Sequence, residues 1–291
     1  MTIETRFIKT IFTVALFVGV AVQTAKAQSP WSASVGAQFS LSELKSDDNA
    51  RAGSEVGPGG ALNLGVGYAL NGNWSIHSGV GIGYLRNNTG LKNYSGSQDA
   101  VDIEGTAFEF RYTVTNYFEN QSYTTASIPL AVQYESNGTT RFYARAGASY
   151  TLFFNSEADG KASNITTTGF FDQLNAELDR PRFAGFGSFN NVDFAKQDIE
   201  IKNSINATLE FGVKQRLAEG RWMYIGLFFE RGLNDLLDTT GGSLIQYNNA
   251  NPTGFSVNPT LSATDQATGN TFVENTKLRS FGFKLWYSFD F

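Results

Sequence analysis

The sequence predicts an all-β protein: a transmembrane, up-and-down antiparallel β-barrel of eight strands with short periplasmic turns and long extracellular loops. Three observations predict it. Residues 277–291 alternate at period two, with Phe281, Phe283, Leu285, Tyr287, Phe289 and Phe291 on one face and Ser280, Gly282, Lys284, Trp286, Ser288 and Asp290 on the other. The same alternation recurs in seven further segments. The connections between segments are strictly short and long by turns, the order of periplasmic turns and external loops in outer-membrane barrels. A long aromatic edge strand invites aggregation, and closing the sheet onto its first strand removes that edge.

Taken in order, the chain opens with Arg6 and Lys9, an apolar run over residues 10–22, and Ala25-Lys26-Ala27. That pattern reads as a signal peptide, cleaved so that mature protein begins at Gln28. The run is too short for a spanning helix. The first strand is 31–41, with Trp31, Ala33, Val35, Ala37, Phe39 and Leu41 outward. The second, 61–70, turns out Leu62, Leu64, Val66, Tyr68 and Leu70. The third, 74–86, turns out Trp74, Ile76, Val80, Ile82 and Tyr84. The fourth, 123–135, turns out Ala126, Ile128, Leu130, Val132 and Tyr134. The fifth, 141–154, carries Phe142, three alanines, Tyr150, Leu152 and Phe154. The sixth, 200–217, carries Ile201, Ile205, Leu209, Phe211, Val213 and Leu217. The seventh, 221–233, carries Met223, Ile225, Leu227, Phe229 and Leu233. Each has at least ten residues, enough to cross at a tilt.

Asn71-Gly72-Asn73, residues 136–140 and Ala218-Glu219-Gly220 read as tight hairpin turns. The long connections cover roughly 42–60, 87–122, 155–199 and 234–276. Phe108, Phe110, Tyr112, Val114 and Phe118 keep the outward parity of the fourth strand. Either that strand projects beyond the membrane, or these residues form a separate loop hairpin. Residues 170–178 space Phe170, Phe171, Leu174 and Leu178 as in a short amphipathic helix.

Composition agrees. Aromatics make up 14%, there are 30 glycines and only 6 prolines, and no cysteine offers a disulfide or a lipid anchor. Mean hydropathy is −0.22, as expected where only alternate residues meet lipid. Cleavage removes Arg6, Lys9, Lys26 and Glu4, moving the net charge from −5 to −7. An acidic chain without a basic stretch argues against nucleic acid as a partner.

The charges form two groups. Arg145, Glu210, Lys214, Glu230 and Lys284 face the lumen, together with Lys202, Arg216 and Asp290 on the same polar parity. Eight strands leave a narrow interior, so the first five are expected to pair in a network that plugs it, a conducting pathway being the alternative. Arg86, Arg231 and Arg279 fall on the greasy face near the outer ends of their strands. A lipid-facing cation costs about 2–4 kcal/mol at the midplane and little at the interface. These three are expected to contact lipopolysaccharide phosphate, or simply to snorkel.

Other residues carry less chemistry. His77 is the sole histidine, so neither a His-based triad nor a multi-His metal site can be built, and no G-x-S-x-G is present. His77 is expected to serve the lumen structurally, with a pH-sensitive contact as the alternative. Gly79-Val80-Gly81-Ile82-Gly83 lies inside a strand, so it makes room in the barrel and is no nucleotide loop. Asp47-Asp48 reads as a solvated loop before it reads as a Ca²⁺ site. No cofactor is implied.

Ser127-Ile128-Pro129-Leu130 and Phe142-Tyr143-Ala144-Arg145-Ala146-Gly147 resemble consecutive strands of the Bacteroidetes outer-membrane β-barrel family (PorT-like, "porin family"), whose architecture is similar to OmpA/OmpX-type barrels. The Phe-terminated last strand, Phe289 and Phe291 above all, resembles the signal read by the outer-membrane insertion machinery. The resemblance implies an outer-membrane location and contact with its lipids, lipopolysaccharide and that machinery. With strand eight as its last segment, the chain is expected to lack a periplasmic peptidoglycan-binding domain. The resemblance implies little about activity. The leading expectation is a non-enzymatic surface barrel whose external loops mediate interaction with a protein partner or envelope integrity. The runner-up is a small-solute channel or an accessory subunit of a secretion complex. An outer-membrane enzyme, lacking a catalytic His cluster and G-x-S-x-G, comes third.

Overall fold

In the computed structural model the described residues are 30–46, 52–238, 241–266 and 268–291. The expected signal peptide and Asp47-Asp48 lie outside them. Eight long strands dominate: β1 Trp31–Lys45, β2 Gly53–Ala69, β3 Trp74–Val101, β4 Ala107–Glu135, β5 Thr140–Phe171, β6 Ser204–Ala218, β7 Arg221–Gly232 and β8 Lys277–Asp290. Each pairs antiparallel with its neighbours in sequence, and β1 pairs with β8 along its whole length from Ser32↔Asp290 to Lys45↔Lys277. The ring is therefore closed, and the aromatic edge of β8 is covered.

The expected alternation is realised in the membrane part of every strand. Leu62, Val80, Leu209, Ile225, Leu227 and Phe283 stay exposed on the outer surface, while Ser40, Ser42, Gln133, Ser149, Asn206 and Ser280 are buried inside. Such a surface suits hydrocarbon, because every strand of the ring is laddered to a neighbour on both sides and no edge is left open. Trp31 meets Tyr68 at 4.9 Å and Trp74 meets Tyr134 at 5.1 Å between ring centres, forming an aromatic girdle at the end that carries the short turns.

The strands are longer than expected, and this corrects the reading of the loops. β3, β4 and β5 run on far past the membrane as one sheet, extended beyond β5 by strands at Ala176–Leu178, Gly187–Asp193 and Gln197–Asp198. The fourth strand thus projects, as one of the two readings held. Its outward parity does not continue, however. Phe118 faces out, but Phe108, Phe110, Tyr112 and Val114 are buried. The reversal occurs at Asn116, whose φ is 49°. Residues 170–178 form no α-helix; they end β5, make a 3₁₀ turn at Asp172–Leu174 and add a short strand. β6 starts at Ser204, so Ile201 forms only an isolated bridge to Leu237 and Lys202 is exposed outside the barrel.

A sheet with one fatty face must be covered. The connection between β7 and β8 folds back to do so, through Leu236, Leu244, Ile245, Val257, Leu261, Ala263 and Phe272. Phe110, Ile165, Leu244 and Ile245 are entirely buried there. The result is an extracellular head with its own hydrophobic core, seated on the barrel.

Candidate functional site

The lumen is filled from the bottom by aromatic rings. Tyr143, Trp222, Tyr224 and Trp286 form a buried cluster near the periplasmic mouth. Glycines make this possible. Tyr143, Gly212, Gly226 and Lys284 are consecutive partners in one row across β5, β6, β7 and β8. A Cβ on Gly226 would lie 2.1 Å from the Tyr143 hydroxyl, and one on Gly36 would lie 2.4 Å from the Trp286 ring. The gap in the row is where the side chains fold over.

Two ionic knots accompany these rings, the lower one in the same register row as Tyr224 and Trp286. In the upper one, Glu210 Oε2 lies 3.7 Å from Arg145 Nη1 and 3.6 Å from Lys284 Nζ, while Tyr143 donates its hydroxyl to Glu210 Oε1 at 2.7 Å. Arg145 also donates to Gln133 Oε1 at 2.6 and 3.1 Å. In the lower one, Glu135 takes Lys214 Nζ at 2.8 Å, Arg141 and the Gln133 amide at 3.0 Å. Gln133 therefore joins the knots. Lys214 stands 4.6 Å from the Trp222 ring centre and Lys284 4.6 Å from that of Phe228.

Of the five expected lumen charges, then, Arg145, Glu210 and Lys284 come together. Lys214 binds Glu135 instead, and Glu230 accepts from Ser149. Glu135, Arg141 and Gln133 were not singled out from the sequence, although the inward parity of Glu135 was there to read. Arg216 is exposed at the periplasmic mouth, and Asp290 accepts from Trp222 Nε1 at 3.1 Å. His77 lies on the lumen face with Nε2 2.9 Å from the Ser75 hydroxyl. Above the knots a cavity of about 90 Å³ remains, bordered by Asn63, His77, Thr125, Arg145, Glu230 and Lys284.

Polar contacts then climb into the head. Asn87 donates to Gln121 at 2.7 Å, Tyr123 donates to the same Gln121 oxygen at 2.9 Å, and Gln121 donates to Glu119 at 2.6 Å. Glu119 is 1% exposed. It also accepts from Tyr117 at 2.8 Å and from the amide and hydroxyl of Thr260 at 3.0 and 2.8 Å. Burial holds its carboxyl above the ordinary carboxylate range, against the pull of these donors. Glu119 was hidden in the sequence because its segment read as loop. No group of three or more potential metal ligands occurs among the described residues.

The outer cations are divided. Arg231 lies directly opposite Arg279 on β7 and β8, and Arg279 reaches Glu43 at 3.3 Å. Arg86, with β2 and β1 between β3 and β8, instead donates to the Tyr84 hydroxyl at 3.3 Å. Phe289 is paired between Ala33 and Arg221, and the Phe291 amide donates to the Trp31 carbonyl at 3.2 Å.

Residues 12–220, well over half the chain, match the family model described as "Outer membrane protein beta-barrel domain". The chain belongs to this family. It is accordingly an outer-membrane β-barrel protein, and the short turns are its periplasmic end. No curated protein matches the sequence. Among solved structures, it is similar to the outer membrane protein OprG from Pseudomonas aeruginosa, at 12% identity over 91% of this chain and 97% of that one, with a TM-score of 0.40. Neisserial surface protein A gives 10% identity over 89% and 97%, with a TM-score of 0.35. Ail, the attachment invasion locus protein of Yersinia pestis, gives 10% over 89% and 98%, with a TM-score of 0.32.

Proposed function

We propose that this outer-membrane barrel is closed to solutes and acts without enzymatic chemistry, presenting its extracellular head for surface interaction or envelope integrity. The observation that carries the reading is the stacking along the barrel axis. An aromatic floor interleaved with the lower ionic knot, then the upper knot, then a hydrophobic head core occupy the axis from periplasm to exterior. The resemblance in residues 127–130 and 142–147 supports a place in the PorT-like Bacteroidetes branch. In this reading the chain is exported by its signal peptide, cut after Ala27, and handed to the insertion machinery through Phe289 and Phe291. The head, held by a core of its own, then meets a protein partner as a preformed surface.

The alternatives are a small-solute channel and an accessory subunit of a secretion complex. Planar-bilayer recording separates the first from the closed barrel. The wild type is expected to show no stable unitary conductance. A reproducible ion-selective conductance, altered by Glu210→Ala, overturns the reading.

A further inference from the structure

The outward faces of β7, β8 and β1 end in an uneven distribution of charge. Arg231, Lys277 and Arg279 stand there, and among the described residues of that face one acid, Glu43, stands against them. The register sets Arg231 directly across from Arg279. Like charges opposed on one face of a sheet destabilise it. Snorkelling accounts for one arginine at an interface, but gives no reason to oppose two. The Glu43 carboxylate, 3.3 Å from Arg279, offsets only part of the excess. Arg231 forms no ion pair among the described residues.

The surroundings say what relieves the repulsion. The next outward residues toward the periplasm are Phe229 on β7, Phe281 on β8 and Leu41 on β1. Phe281 and Leu41 are exposed, as lipid-facing side chains are. From Arg221 to Arg231, at about 3.4 Å per residue and a tilt of about 40°, the rise is roughly 25 Å, the height of the apolar band of such barrels. The cations therefore sit where the hydrocarbon ends. A guanidinium pair offers planar, two-pronged donors to a phosphate, while the apolar side chains below continue under an acyl chain.

We propose that Arg231, Lys277 and Arg279 form a binding site for the phosphate group of an outer-leaflet glycolipid, whose chains lie along Phe229, Phe281 and Leu41. Arg86 is no part of it.

The test uses the full chain in zwitterionic nanodiscs, with native mass spectrometry as the readout. Bisphosphorylated lipid A is expected to be retained at least about tenfold more than its dephosphorylated form, as several cations near an anionic headgroup imply. Arg231→Gln/Arg279→Gln brings retention down to the dephosphorylated level, and Arg86→Gln leaves it unchanged. Inorganic pyrophosphate is not retained. A second measurement reverses sign: Arg231→Gln raises the heat-unfolding temperature without lipid A, by removing the opposed pair, and lowers it relative to wild type with lipid A. That single variant also carries the test if the double variant does not insert. Undiminished retention in the double variant, an equal loss in Arg86→Gln, or pyrophosphate held as well as the lipid overturns the proposal.

Discussion

Glu119 shows what one buried carboxyl can do outside the membrane. It lies sixteen residues up β4 from Glu135, roughly 40 Å at about 3.3 Å per residue and a tilt of about 40°, beyond the apolar band. Through Thr260 it ties the β7–β8 connection to the head sheet. Glu119→Ala strands the Thr260 amide and the Gln121 and Tyr117 donors, so the head should lose about 1–3 kcal/mol. The pH dependence follows from the raised titration of the carboxyl. Such a group contributes stability that is complete below its ordinary pKa and is lost as pH rises through the folded-state value. Scanning calorimetry from acid to neutral pH should thus find the gap between wild type and Glu119→Ala narrowing as pH rises; a widening gap contradicts the assignment. At this scale the sequence was half legible. Parity put Arg145, Glu210 and Lys284 on one inner face, because membrane strands must alternate. It could not pair Lys214 with Glu135 or hang Tyr143 on Glu210, since those contacts depend on the register of β4, β5 and β6 and on the glycine gap between them.

Between the barrel and the head, the strands share a crease. Lys92, Asn116, Ser163 and Asn191 lie in one transverse row, each at the position where its ladder skips a pair. Asn116 and Asn191 have φ of 49° and 51°. Below the row Leu91, Tyr117 and Ala162 face the core; above it Tyr94, Val114 and Ile165 do. A left-handed residue shifts the alternation by one, so fatty residues of opposite parity reach the same side. Asparagine tolerates that conformation and a β-branched residue does not. Asn116→Val should cost the head about 1–3 kcal/mol, while Asn116→Gly should be nearly neutral. Limited proteolysis of the head in intact vesicles distinguishes them, and equal sensitivity of the two variants would show that the crease needs no left-handed residue. This row also explains where sequence reading failed. Period two follows the chain faithfully while lipid enforces it. Past the membrane the core is built from a sheet and a distant connection, so a single asparagine can reverse the pattern without any compositional break.

The whole molecule joins two solvents. In the bilayer the ring of eight strands is held by lipid, since an opened barrel would leave backbone groups unpaired in hydrocarbon. The head has no such constraint. Its stability is the small balance typical of a water-soluble fold, in which burial of residues such as Phe110, Ile165 and Phe272 barely exceeds chain entropy. Its cover comes from the β7–β8 connection, a segment that can leave without breaking any barrel ladder. The aromatic residues supply separate reporters. All four tryptophans, Trp31, Trp74, Trp222 and Trp286, belong to the barrel, whereas the head core is lined by tyrosine and phenylalanine. In urea, with the protein in vesicles, two transitions are therefore expected. Protease sensitivity around residues 241–266 should appear first, with tryptophan fluorescence unchanged. The fluorescence shift and the loss of heat-modifiable migration should follow together at higher urea. Glu119→Ala and Asn116→Val should move only the first midpoint. Coincident transitions, or a fluorescence midpoint displaced by a head variant, would instead mean that head and barrel fold as one cooperative unit, with the polar contacts running from Asn87 to Glu119 binding them together.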